Sequence, residues 1–271
     1  MCKILGIRRS TYYKKSNWTP SQREIETQKL DAEIKTIYFD SKKRYGAPKI
    51  HNILLSDGRT LSLKRVQRRM VAMGLRSIVI KKYCHYSNNT KVAEQKNILQ
   101  QDFTATAINQ KWCTDITYIH TLKDGWTYLA SVMDFYSKKI IGWSYGTHMS
   151  AELALKAVQN ACLNVGSTEG IILHSDLGSQ YTSDLFENYL SKVKIKHSFS
   201  RKGCPYDNAC IESFHSLLKK EEVHLRTYID SRDAYDSIFE YIESWYNRKR
   251  IHSSLNYMTP EAVHSMGACV A

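Results

Sequence analysis

Apolar residues recur at helical spacing through the first part of the chain, and the pattern turns strand-like beyond about residue 110. Thr19-Pro20-Ser21-Gln22-Arg23-Glu24 predicts a helix start, with Ser21 as cap and Glu24 reaching back as the capping-box acid. Ile25, Leu30, Ile34 and Ile37 continue it as an apolar stripe as far as Phe39. Ahead of that helix, Ile4-Leu5-Gly6-Ile7 with Ser10-Thr11-Tyr12-Tyr13 predicts a short helical turn or a small helix pair.

A tighter pattern occupies 47–73. Pro48 suits the first turn of a helix bearing Ile50, Ile53 and Leu54, and Ser56-Asp57-Gly58-Arg59 breaks it. Ser62 then caps a second helix whose apolar positions are Leu63, Val66, Met70 and Met73, with Gly74 as the left-handed stop. Lys64, Arg65, Arg68 and Arg69 fall mainly off that stripe. Two short helices joined by a glycine-containing turn, the second one basic, describe a helix-turn-helix. A helical hairpin for dimerisation, its charges merely solvated, is the plainer alternative.

Beyond a polar stretch with one short helix near 94–99, the β-branched and aromatic run Trp112-Cys113-Thr114-Asp115-Ile116-Thr117-Tyr118-Ile119 predicts a strand. Asp124-Gly125 signals a hairpin into a strand over 126–133, and a turn near Tyr136-Ser137-Lys138 leads to a third over 140–145. A helix capped by Ser150, a short buried strand over 170–174, a helix over 183–190 and a strand over 194–200 follow. The pattern closes with a helix capped by Asp207 or Asn208 and a long helix over 231–246. This order predicts an α/β fold, a mixed sheet flanked by helices, behind an all-α N-terminal region. The predicted organisation is a helical DNA-binding region over 1–85 with its helix-turn-helix at about 45–75, a linker over 86–106, and a core over 107–266.

Charge sharpens this division. The chain of 271 residues has a formal net charge of +13. Residues 1–100 hold 22 Lys and Arg against 7 Asp and Glu, whereas 101–271 hold 17 against 19. The positive excess therefore sits in the N-terminal region, as a polyanion-binding module would have it. The seven cysteines form no C-x-x-C pair, which disfavours a disulfide framework or zinc ribbon, and no apolar run approaches a membrane span. A reduced cytoplasmic setting without a membrane partner is expected.

Three acids stand out by place. Asp115 lies inside the first core strand, Asp176 just past the strand over 170–174, and Glu212 in the first turn of the next-to-last helix. Each alone has a plain explanation: an edge-strand charge, a turn residue, an acid at a helix N-terminus. Converging, they repel unless a cation joins them, and their hard oxygens select Mg²⁺ or Mn²⁺. Two such ions suit phosphodiester chemistry.

The interval between Asp176 and Glu212 encloses 35 residues, 177–211. With that spacing the chain resembles the insertion-sequence transposases of the retroviral-integrase-like DDE type, second-reading-frame product. The words Trp112-Cys113-Thr114-Asp115-Ile116-Thr117, His174-Ser175-Asp176-Leu177-Gly178-Ser179-Gln180-Tyr181 and Asp207-Asn208-Ala209-Cys210-Ile211-Glu212-Ser213-Phe214 carry the resemblance. So do Tyr45-Gly46-Ala47-Pro48-Lys49-Ile50-His51 and, near the end, Trp245-Tyr246-Asn247-Arg248, Arg250-Ile251-His252-Ser253-Ser254-Leu255 and Thr259-Pro260-Glu261.

The resemblance implies a ribonuclease-H-like catalytic core in which Asp115, Asp176 and Glu212 bind two catalytic Mg²⁺ or Mn²⁺ ions. Lys219 matches a DNA-contacting position, with a solvated helix-end lysine as the alternative. Lys64, Arg65, Arg68 and Arg69 are the expected DNA contacts of the helix-turn-helix. Asn208 either orients the metal site or caps its helix, and Asp134 is assigned to turn chemistry. His174 is assigned to structural hydrogen bonding, and Cys204 and Cys210 receive no role. The implied partners are double-stranded DNA, both element ends and target, further copies of the chain on that DNA, and the product of an upstream reading frame. The expected location is the bacterial cytoplasm, with the nucleoid. The zinc-binding module of retroviral integrases is absent, and the helix-turn-helix stands in its place. Related elements fuse two frames into a longer protein, so this chain is expected to be one component, or a remnant, of the working recombinase. Two further functions share these features: a catalytically inactive DNA-binding regulator, against which the intact acids argue, and a ribonuclease H-type nuclease, which needs no basic N-terminal module.

Overall fold

The computed structural model describes residues 6, 8–17, 19–78, 98–99, 102–163, 165–200 and 208–268. It divides into two compact units, 1–78 and 79–271. The short helix expected near 94–99 falls mostly outside the described residues, as do Ile4, Leu5 and Ile7 of the N-terminal turn.

The first unit is helical. After α1 (Arg9–Ser16), which buries nothing, Ser21 starts α2 (Gln22–Asp40) with the full reciprocal capping box to Glu24. Helix α2 buries Leu30, Ile34 and Tyr38, one turn apart, against α3 (Ala47–Ser56; Ile50, Leu54) and α4 (Leu63–Ala72; Val66, Met70). The stripe thus ends on Tyr38, whose hydroxyl donates to the Arg76 carbonyl at 2.7 Å, while Phe39 stays exposed. The Ser62 side chain accepts from the Arg65 N–H to cap α4, and Gly74 turns left-handed at φ 68° to end it. Lys64, Arg65 and Arg68 are exposed. Arg69, the fourth of these cations, is only partly exposed. Its guanidinium donates to both Asp31 oxygens, at 2.8 and 2.6 Å, and so ties α4 to α2.

The second unit is a five-stranded sheet in the order β3-β2-β1-β4-β5. Strands β1 (Lys111–Thr121), β2 (Gly125–Asp134) and β3 (Ile140–Gly146) form an antiparallel meander; β4 (Ile172–Ser175) and β5 (Lys196–Phe199) join parallel to β1. The Asp124-Gly125 signal is realised as a loop of residues 122–124 closed by Gly125 at φ 69°. Asp134 closes the second turn: its carboxylate accepts from the Ser137 N–H and Oγ–H and from the Asn109 N–H.

Helices α5 (Ala151–Cys162) and α6 (Asp184–Lys192) cover one sheet face, where Trp112, Ala130 and Val132 meet Ala157, Val158, Ala161, Phe186 and Leu190. Gly142 permits this approach, because a Cβ there would collide with the backbone of Ala157 and Ala161. Helix α7 (Ala209–Glu221), which begins after Asn208, packs on β1 and β2 through the other face. The expected single helix over 231–246 is α-helical only as α8 (Ser231–Phe239); the turn widens to a π-helix over Glu240–Tyr246. There Tyr241 and Trp245 both donate to Glu221. Short α9 (Pro260–Ala268) follows.

Candidate active site

Asp115 sits in β1 opposite Ser131 of β2, on the sheet face that α7 covers. The Ile116 N–H donates to its Oδ1 at 2.8 Å, and its side chain is only 22% exposed. Asp176 is the first residue past β4. The last paired residues of β1 and β4 are Cys113 and His174, so two steps on, Asp115 and Asp176 come level. The end of a parallel strand is where α/β sheets place ligand-binding groups. There the Gly178 N–H donates to Asp176 Oδ1 at 3.0 Å, and a Cβ on residue 178 would sit 2.9 Å from that same oxygen. Glycine is therefore what lets the carboxylate fold back over its turn.

Glu212 comes from the first turn of α7, which Ile211, Phe214 and Leu218 anchor by full burial. Three residues on, and so on a neighbouring part of the same helix face, His215 places Nδ1 3.4 Å from Asp115 Oδ2. Its Nε2 lies 3.4 Å from Ser131 Oγ. Burial first, and then the charge of Asp115, raise the Asp176 pKa above its ordinary value; the Gly178 hydrogen bond works against both. Glu212 is raised by the same two causes, with His215 opposing. Asp115 thus adds to the shift at both other acids, which places it within electrostatic reach of each. Among the described residues no group of three or more His, Cys, Asp and Glu is placed to hold a metal ion. The three side chains nonetheless offer only hard oxygen donors, and the Asp176 and Glu212 pKa values are raised chiefly by burial and then by the charge of Asp115.

Around this centre several side chains take their places. Lys219, two turns along α7 from Glu212, holds Nζ 4.0 Å from the centre of the Tyr118 ring. His174 is buried between Ser198 Oγ and Ser200 Oγ, each 3.0 Å away, and is structural. Asn208 does not act as the expected cap: its side chain makes no cap hydrogen bond, and its buried Oδ1 finds no partner among the described residues. Asp207 and Cys204 lie outside those residues. Cys210 accepts from Lys138 Nζ at 3.4 Å.

Two features had no individual signal in the sequence. One is His215. The other is the buried pair of Glu221 and Arg250, in which Nε and Nη2 of the guanidinium reach both carboxylate oxygens at 2.8–3.1 Å. Burial opposes the Arg250 charge, yet the Glu221 hydrogen bonds and charge outweigh it and raise the pKa. Asn247 joins the same region to the sheet, accepting from the Ile140 N–H and donating to its carbonyl. Through these contacts the closing signature acquires a physical role, since it clamps the π-helical segment to α7 and β3.

An integrase core domain matches residues 105–205, a second integrase core domain model matches 193–260, and an HTH-like domain matches 24–83. The transposase for insertion sequence element IS904 of Lactococcus lactis is 40% identical over 89% of this chain and 96% of its own length. The chain belongs to the insertion-sequence transposases. Transposase InsF for insertion sequence IS3A of Escherichia coli is 37% identical to this transposase, over 96% of this chain and 91% of its own. In fold, the transposase is similar to a chain in the cryoEM structure of the simian T-cell lymphotropic virus intasome with a PP2A regulatory subunit. The TM-score is 0.50 at 14% identity, covering 86% of this chain and 74% of that one. The core is accordingly a ribonuclease-H-like, integrase-type catalytic fold, and the enzyme is of the polynucleotidyl transferase type.

Proposed function

We propose that this transposase cleaves phosphodiesters at the ends of an insertion element and joins them to target DNA at the site formed by Asp115, Asp176 and Glu212. The observation that supports this reading is that Asp115 on β1 and Asp176 just past β4 come level, while α7, which carries Glu212, sets His215 Nδ1 3.4 Å from Asp115. These three residues would hold two Mg²⁺ or Mn²⁺ ions, which when bound lower the pKa of a coordinated water and neutralise charge on the phosphate.

The chain's own residues keep the carboxylates where that chemistry needs them. The Ile116 and Gly178 N–H groups fix one oxygen each of Asp115 and Asp176, and His215 Nδ1 stands 3.4 Å from the second oxygen of Asp115. Water displaces the 3′ oxygen of one phosphodiester, and the freed 3′-hydroxyl then displaces a bridging oxygen of the target strand. No side chain serves as nucleophile, so no covalent enzyme–DNA intermediate forms.

Lys64, Arg65 and Arg68 of α4 are exposed and suited to phosphate contacts on duplex DNA, and Lys219 supplies a cation along α7. Arg69 is committed to Asp31 and is left out of that set. Further copies of the chain and an upstream-frame product act as partners on the DNA, in the bacterial cytoplasm. Among the described residues no helix is long and apolar enough to cross a membrane.

Product analysis on an end-labelled duplex carrying the element terminus, with Mg²⁺, tests the reading. A 3′-hydroxyl nick at the end followed by joined strands supports it. Binding without products indicates the regulator, and degradation of the RNA strand of a hybrid indicates the ribonuclease H-type enzyme.

A further inference from the structure

Three exposed rings stand together on the β1–β2 hairpin. Tyr118 and Trp126 meet edge to face with centroids 5.1 Å apart, and His120 meets Trp126 at 5.0 Å. The tyrosine is 56% exposed and the tryptophan 53%, with Leu122 beside them at 65%. The hairpin's own packing runs through the alternate residues, Thr117, Ile119, Thr121 and Leu129, which are buried. A cross-strand aromatic pair stabilises a hairpin by less than about 1 kcal/mol. That modest gain does not account for grouping so much apolar ring surface in water.

Two independent observations point to what covers it. A cation is already in place, because Lys219 Nζ lies 4.0 Å from the Tyr118 ring centre. The rings and Lys219 also lie along the same strand and helix that carry Asp115 and Glu212. Tyr118 follows Asp115 by three residues of strand, about 10 Å, and by strand alternation its side chain leaves from the other side of β1. Lys219 follows Glu212 by seven residues of helix, again about 10 Å. Past Cys113, moreover, β1 is no longer paired with β4, and Tyr228 takes up that side again at Thr121.

We propose that Tyr118, His120 and Trp126, with Lys219, form a base-stacking platform that holds unpaired nucleotides of the DNA end beside the carboxylates. The proposal rests on the strand-transfer reading for its ligand. Ring faces accept any base by stacking, which is sequence-tolerant, and the ammonium answers the neighbouring phosphate. Terminal nucleotides cost least to unstack, so an end presented for cleavage is the DNA form that fits an aromatic surface next to the reacting phosphate.

The test is binding by the full chain without metal, so that no cleavage intervenes. The probes are a duplex with an unpaired 3′ tail containing 2-aminopurine and the same duplex blunt-ended. The wild type should quench 2-aminopurine on binding. Trp126→Ala should weaken tailed-DNA binding by about tenfold or more, with blunt binding little changed, and should abolish the quench. Trp126→Phe should restore most of both, and melting temperatures should stay level because the side chain is half in water. Equal weakening on both probes, or no quench in the wild type, overturns the platform. A drop in sedimenting mass of the DNA-free Trp126→Ala chain also overturns it and assigns the rings to a contact between copies. Asp115→Asn separates the two readings. If it still cleaves with Mg²⁺, the carboxylate site fails, while the metal-free binding result stands on its own.

Discussion

His215 Nδ1 stands 3.4 Å from Asp115 Oδ2, and the same ring reaches Ser131 Oγ with Nε2. A histidine from α7 thus stands against the second oxygen of the strand carboxylate, and if Asp115 holds a metal as proposed, such an outer partner would orient it. His215→Ala should lower strand cleavage by about 10- to 100-fold with DNA binding kept, and should raise the Mg²⁺ concentration needed. His215→Asn, which keeps a donor near the Nδ1 position, should recover part of the loss. Wild-type rates and metal dependence in His215→Ala would remove this contact from the chemistry.

The acids themselves give the sharpest expectation. Asp115→Asn, Asp176→Asn and Glu212→Gln each keep the shape and weaken oxygen coordination. Each should abolish cleavage and joining while retention of labelled duplex in a gel stays near wild type. A variant with near-wild-type product yield identifies a residue that is not part of the site.

The raised pKa values of Asp176 and Glu212 set a pH dependence. A carboxyl raised on folding binds its proton more tightly in the folded chain. Its stabilising contribution is complete below the unfolded pKa and disappears as pH rises through the folded one. The metal-free chain should therefore lose stability as pH climbs through and just above the ordinary carboxylate range. Asp176→Asn should flatten that loss and leave neutral-pH melting unchanged or higher. Mg²⁺ well above its dissociation constant should stabilise the wild type by about 1–3 kcal/mol, and the neutralised variants by much less. Melts at fixed ionic strength measure both; equal Mg²⁺ shifts in all proteins would place the ion elsewhere.

Glu221 and Arg250 form a buried pair whose side chains are 4% and 7% exposed. Removing one partner strands a charge, so Glu221→Ala should cost about 3–5 kcal/mol in urea unfolding. It also deprives Tyr241 and Trp245 of their acceptor. A loss under about 1 kcal/mol would mean that water or another acid takes over the guanidinium.

Arg68 and Arg69 are adjacent in the sequence and differ in role. Arg68 is exposed, whereas Arg69 holds Asp31. Arg68→Ala should reduce the salt slope of duplex binding by about one, with melting unchanged. Arg69→Ala should instead lower the melting temperature by breaking the α2–α4 tie. Its pair is partly exposed, so the cost stays within about 1 kcal/mol. Identical effects of the two substitutions on salt slope would return Arg69 to the DNA surface.

What the sequence determined by itself was local or modular. Ser21 with Glu24, Ser62 with Arg65, and Asp134 with Ser137 make their bonds within three residues, so caps and turns can be read along the chain. Runs rich in β-branched and aromatic residues between turn signals marked the strands for the same reason, and the 35-residue interval with its flanking words marked the family. Only the tertiary structure decided which distant residues meet. Arg69 reaches Asp31 across 38 residues and Arg250 reaches Glu221 across 29. His215 finds Asp115 because α7 closes over the sheet face that carries it. The widened turn over Glu240–Tyr246, where Tyr241 and Trp245 donate to Glu221, likewise had no local pattern to announce it. Asp115 and Asp176 come level through the register of two parallel strands, set by the whole sheet rather than by either segment. A bond spanning three residues depends on little beyond its own segment, whereas one between distant residues forms only where the fold brings the segments together.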